Sequence, residues 1–119
     1  MQKLIKSNEE WKKILNPLQY KILREGGTEK AFTGELLNNK EEGIYSCAAC
    51  GNELFSSETK YDSGTGWPSF YAPISEDSLI IKPLPSGIDG AEVLCFRCEG
   101  HHGHVFLQFQ SFHLYYPRQ

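Results

Sequence analysis

Residues 93–106 read VLCFRCEGHHGHVF, and residues 44–55 read IYSCAACGNELF. How these two stretches meet decides the fold. Each carries a Cys-x-x-Cys turn at the end of a short apolar run: Cys47 with Cys50, and Cys95 with Cys98, each followed within two residues by a glycine. That spacing lets both sulfurs of a turn face one ion, and two such turns close a tetrahedral site. Between Cys50 and Cys95 lie 44 residues, more than the roughly 15–20 of a compact zinc ribbon. The intervening segment must therefore be a folded excursion that returns the chain to its metal.

A thioredoxin-like redox pair would need a strand-to-helix turn in a βαβ setting, which neither pair has. Unrelated buried cysteines are the plainer alternative. A closed site of four thiolates is the reading preferred here: Cys47, Cys50, Cys95 and Cys98 hold a structural Zn²⁺. Such a site leaves no position open for water and staples the fold rather than catalysing. It also uses every cysteine of the chain.

Working outward, the first quarter reads as helical. Ser7 with Glu10 forms a capping-box pattern ahead of NEEWKKIL, with Trp11, Ile14 and Leu15 on one face. Asn16-Pro17 starts a second helix, PLQYKILRE, which Gly26-Gly27 stops. Both are expected to pack as a lid over a core. Residues 28–39 give mixed signals, read as loop with a turn of helix. From Gly43 onward short apolar runs alternate with turn residues, as in GIYSC, ELFSS, LIIKPL, AEVLCF and GHVFLQF. The fold class expected is mainly β (α+β): a small antiparallel β-sheet or barrel stapled by zinc, with N-terminal helices. A single domain covers 1–119, with helices over 7–27, a β core over 43–110 and an atypical tail over 107–119.

Composition removes several functions. The net charge is −3 and no Lys/Arg run exceeds two residues, so no basic stripe tracks a phosphate backbone and no nucleic-acid partner is expected. No apolar stretch approaches the roughly 18 residues of a membrane helix, and the first residues lack the apolar region of a secretory signal. A cytoplasmic, monomeric protein is expected.

Inside the excursion lies KYDSGTGWPSFYAPI. Two glycines frame Thr65, and Trp67, Phe70 and Tyr71 follow. A glycine-rich turn presenting these aromatics can build a small apolar pocket with one indole N–H. An ordinary core tryptophan beside a turn fits the same residues.

Taken together, YDSGTGWPSF, YSCAACGNELF and VLCFRCEGHHGHVF resemble the B-type methionine sulfoxide reductases over about residues 10–106. The resemblance implies thiol-dependent reduction of R-methionine sulfoxide in proteins, with a thioredoxin-like reductant as partner. It implies a substrate site at Trp67 with Phe70, and two histidines, His101 and His104, that protonate the departing sulfoxide oxygen; imidazole titrates near neutrality and suits that step. The same two histidines could instead support the knuckle that begins at Cys95. His102 stands where leucine is usual and is expected to face solvent; His113 is read as incidental.

The chain departs from the family in two further places. Thr65 occupies the position of a recycling cysteine. After His-Val-Phe the family continues to an Arg-(Tyr/Phe)-Cys segment, whereas here the text is LQFQSFHLYYPRQ. With all four cysteines assigned to zinc, the nucleophilic thiol is absent and catalysis is expected to be impaired or lost. The tail, with Phe109, Phe112, Tyr115 and Tyr116, reads either as an aromatic strand over the pocket or as a displaced reading frame. Its lack of glycine and acidic residues favours the latter. A binding module that uses the Trp67 pocket without turnover is the alternative function.

Overall fold

The computed structural model describes residues 2–27, 32, 37, 39–84, 90–106 and 111–114. Most of the 28–39 segment, together with Phe109, Tyr115 and Tyr116 of the tail, lies outside the described residues.

Two short helices open the chain, α1 (Asn8–Ile14) and α2 (Pro17–Glu25). Both begin in full capping boxes. The Ser7 hydroxyl accepts from the Glu10 amide while the Glu10 carboxylate accepts from the Ser7 amide, both at 3.2 Å. Asn16 and Gln19 exchange the same pair of bonds at 2.8 and 3.0 Å. Each box satisfies amides that a helix start otherwise leaves orphaned. Gly26, at φ 72°, ends α2 in the left-handed conformation. Trp11 and Leu15 are buried, as expected, but Ile14 is 56 % exposed. The inward stripe of α1 follows the four-residue spacing of Trp11 and Leu15, and Ile14 falls off its edge.

The strands are β1 (Ile44–Ser46), β2 (Glu53–Ser56), β3 (Lys60–Tyr61), β4 (Ser69–Phe70), β5 (Leu79–Pro83), β6 (Ala91–Cys95), β7 (His101–Phe106) and β8 (Ser111–Leu114). β1 and β2 form a hairpin of their own; the others make a six-stranded antiparallel sheet in the order β3-β4-β8-β7-β6-β5. The mainly antiparallel fold with N-terminal helices is as expected, with the described strands forming two sheets. The tail contributes β8, which pairs with β4 on one side and β7 on the other. It is an interior strand of the sheet.

The core lies between the hairpin and one face of the larger sheet. Phe70 is edge-on to Tyr45 at 4.9 Å and stacks on Phe55 at 4.6 Å, and Phe112 of β8 reaches Phe55 at 5.5 Å. Ala91, Val93 and Val105 complete that face from β6 and β7. Helix α2 closes one end, placing Leu23 against the core and the Arg24 guanidinium on the Cys98 carbonyl at 2.8 Å.

Candidate functional site

The two Cys-x-x-Cys turns are built alike. In the first, the Gly51 amide donates to the Cys47 carbonyl at 2.9 Å and the Cys47 amide donates to the Asn52 carbonyl at 2.8 Å. In the second, Glu99 donates to Cys95 at 2.8 Å and Cys95 donates to Gly100 at 2.9 Å. The residue after each second cysteine, Gly51 or Glu99, is left-handed. Gly100 answers a different demand, since a Cβ there would sit 3.2 Å from the Cys98 sulfur.

These turns bring four sulfurs within 4.8 Å of one another, with Cys47 to Cys98 and Cys50 to Cys95 each at 3.6 Å. Four ligands about 2.3 Å from a central zinc stand about 3.8 Å apart along each edge of the tetrahedron. The donor set and its spacing fit a tetrahedral thiolate-bound metal. Cys47, Cys95 and Cys98 are buried and Cys50 is half-buried. Without an ion the thiols ionise unevenly. A hydrogen bond from Cys47 lowers the Cys50 pKa to about 7 and holds Cys95 well below the ordinary thiol range. Hydrogen bonds with the neighbouring thiols push Cys47 and Cys98 the other way, above that range.

The surroundings hold this centre in place. Arg97 donates to the Cys50 carbonyl at 3.2 Å, tying the second knuckle to the first. The N-terminal segment straps across as well, with Lys3 Nζ on the Phe96 carbonyl at 2.5 Å and the Leu4 amide on the Arg97 carbonyl at 2.7 Å. Asn52 Nδ2 lies 3.5 Å from Cys95 Sγ, and His102 Nε2 lies 3.1 Å from Cys47 Sγ. His102 is therefore not at the solvent surface: it is 0 % exposed, and burial pushes its pKa down to about 4.

The reason is a break in strand register. Leu94 pairs with His101 but Val93 pairs with Gly103, so His102 is an extra residue inserted opposite the β6 backbone. Residues three apart on a regular strand face opposite ways; this bulge brings His101 and His104 to one side. Their partners Leu94 and Glu92 are two apart on β6 and share a face. On that face His101 Nδ1 meets Glu92 Oε1 at 3.0 Å. Glu92 was not singled out from sequence, where nothing marks a lone carboxylate in AEVLCF. Gly90 was also missed: at φ 94°, any Cβ there would strike the His104 ring and lie 2.5 Å from the Val105 carbonyl oxygen.

The tryptophan block is a tight turn. Gly64 (φ 74°) and Gly66 (φ 91°) are both left-handed, and Ser63 Oγ bonds Thr65 Oγ1 at 2.8 Å and Ser69 Oγ at 2.6 Å. Half-buried Trp67 lines a cavity of about 600 Å³ with Lys60, Tyr61 and Asp62. Neither His101 nor His104 lines that cavity among the described residues. Phe70, expected beside Trp67, is fully buried in the core instead, because alternation along β4 turns it toward Tyr45 and Phe55.

Comparison with known proteins bears on this geometry directly. The SelR domain family model matches residues 15–113, reaching into β8. A protein of Methanosarcina barkeri named peptide methionine sulfoxide reductase MsrB is 59% identical over 102 residues, covering 85% of this chain and 72% of that protein. Proteins of the same name from Leptospira interrogans (57% over 103 residues, 85% and 78% covered) and Pseudomonas savastanoi (47% over 107 residues, 89% and 82% covered) are similar over comparable spans. With the paired knuckles, the bulged histidine strand and the Gly-Trp-Pro turn all within the matched span, this chain belongs to the SelR-domain, MsrB family of oxidoreductases.

Proposed function

We propose that this fold serves the reduction of R-methionine sulfoxide in proteins, and that these 119 residues keep the scaffold and binding surface without the thiol nucleophile. The carrying observation is the convergence of all four cysteines on one centre. In the reaction, a thiolate attacks the sulfoxide sulfur, and the oxygen ends on the thiol as a sulfenic acid while methionine is released. A second thiol, from a thioredoxin-like reductant, then forms a disulfide and releases the oxygen as water. Serine and threonine hydroxyls do not replace a soft thiolate in either step.

The metal we assign is zinc, held by Cys47, Cys50, Cys95 and Cys98. Once bound it neutralises thiolates and locks two knuckles that are far apart in sequence. The single domain, the monomeric state and the cytoplasmic setting belong to the same reading. His101, oriented by Glu92, and His104, seated against Gly90, are the groups that would protonate the sulfoxide oxygen. Trp67 supplies the face on which a sulfoxide methyl group packs.

The test is turnover. Zinc-loaded protein of verified mass, given an R-methionine sulfoxide peptide and dithiothreitol, is expected to form no methionine above the buffer rate. Measurable turnover overturns the missing-nucleophile reading. The cavity beside Trp67 supports a second function, ligand binding without chemistry. That reading expects a saturable shift of the Trp67 indole resonance with methionine sulfoxide, and a flat titration removes it.

A further inference from the structure

His102 takes no part in sulfoxide chemistry as derived above, yet its ring is fully buried against the metal centre. We propose that His102 is a positioning residue for that centre, donating its Nε2–H to the Cys47 thiolate and so fastening the bulge of β7 to the first knuckle. The inference rests on the metal-bound reading of the four cysteines.

The tautomer follows from what each nitrogen faces. Nε2 lies 3.1 Å from Cys47 Sγ, whereas Nδ1 is buried and has no hydrogen-bond partner among the described residues. A metal-bound thiolate carries lone pairs and no proton. An Nδ1–H tautomer would set the Nε2 lone pair against those of sulfur and leave a buried N–H with no acceptor. The Nε2–H tautomer makes one charge-assisted bond and leaves only a bare acceptor, the smaller loss.

A second observation points the same way. Asn52, which follows the first knuckle, reaches across to Cys95 of the second, 3.5 Å from its sulfur. His102, which follows the second, reaches back to Cys47 of the first. The leading cysteine of each knuckle thus meets an N–H donor from the chain just past the other knuckle. Each donor withdraws charge from one sulfur and resists separation of the two turns. For Cys47 that donor exists only because the inserted residue of the bulge points inward. The histidines of the opposite face are therefore held in register by a bond to the metal centre.

Tautomer and metal affinity test this. In cadmium-113-loaded protein with nitrogen-15 histidine, His102 is expected as the Nε2–H tautomer, its proton slow to exchange and coupled to cadmium. An Nδ1–H tautomer overturns the proposal, and this measurement needs no variant. His102→Leu is expected to release zinc to a competing chelator about 10–100-fold more readily, and to shift the sulfur-to-cobalt charge-transfer bands of the cobalt form. His102→Gln, which keeps an N–H donor, is expected to recover part of both. Unchanged affinity and spectra in His102→Leu overturn the proposal. A parent protein that takes up no zinc overturns the metal reading itself, an outcome that metal analysis separates from the others.

Discussion

Gly51 and Glu99 occupy the same place in two knuckles of matching hydrogen-bond pattern, at φ 80° and 58°, yet only one of them is glycine. A side chain in the left-handed region costs about 1–2 kcal/mol, part of which glycine returns as unfolded-state entropy. Glu99 is exposed, and its carboxylate makes no hydrogen bond or ion pair among the described residues. Glu99→Gly is expected to stabilise the zinc-loaded protein by about 0.5–1 kcal/mol, read as a rise in Tm of a few degrees. A fall in Tm would show that the exposed carboxylate contributes more than its backbone strain removes.

Phe70 and Trp67 stand three residues apart and separate packing from binding. Phe70 is enclosed by Tyr45 and Phe55, so Phe70→Ala opens a cavity and is expected to cost about 3–5 kcal/mol. Trp67 faces the 600 Å³ cavity, and Trp67→Ala is expected to cost about 1–2 kcal/mol while abolishing any methionine sulfoxide binding read by calorimetry. Denaturant unfolding of both variants decides the matter. Equal losses would place Trp67 in the core as well.

What was legible in the sequence was local or chemically distinctive. Both helix starts announce themselves through side chains three residues apart, and four cysteines in two turns have few other uses. What was not legible depends on register. Ile14 lies off the buried stripe because the packing of α1 follows Trp11 and Leu15; Phe70 is in the core because of the parity of β4; His102 is inside because one residue is inserted in β7. The place of Ser111–Leu114 between β4 and β7 is likewise a long-range pairing that no local pattern encodes.

Glu10 gives α1 a pH dependence of known sign. Hydrogen bonds from the Ser7 backbone and then its hydroxyl hold the Glu10 pKa below the ordinary carboxylate value of 4.5. A depressed folded-state pKa means that the ionised carboxylate supports the helix above the ordinary range, and that this support is lost as pH falls through the lowered value. Amide exchange at residues 7–10 is therefore expected to accelerate as pH drops below about 4.5, after correction for intrinsic rates. Glu10→Gln, which keeps the acceptor without the charge, should flatten that change. A variant as pH-sensitive as the parent would assign the effect to another group.

Gly90 is the support of His104. It sits at φ 94°, where a side chain is strained, and an added Cβ would collide with the His104 ring and the Val105 carbonyl, which is backbone and cannot turn aside. Gly90→Ala is expected to cost about 2–4 kcal/mol from strain and overpacking together. The disturbance should be local in a telling way. His101 is held through Glu92, and the four sulfurs lie beyond the far end of the β6–β7 pairing from Gly90. In nitrogen-15 spectra of Gly90→Ala, the His104 ring resonances are expected to move while those of His101 and the zinc content stay as in the parent. Unmoved His104 resonances would mean that the imidazole already has room to turn away, and that Gly90 serves the turn into β6 alone.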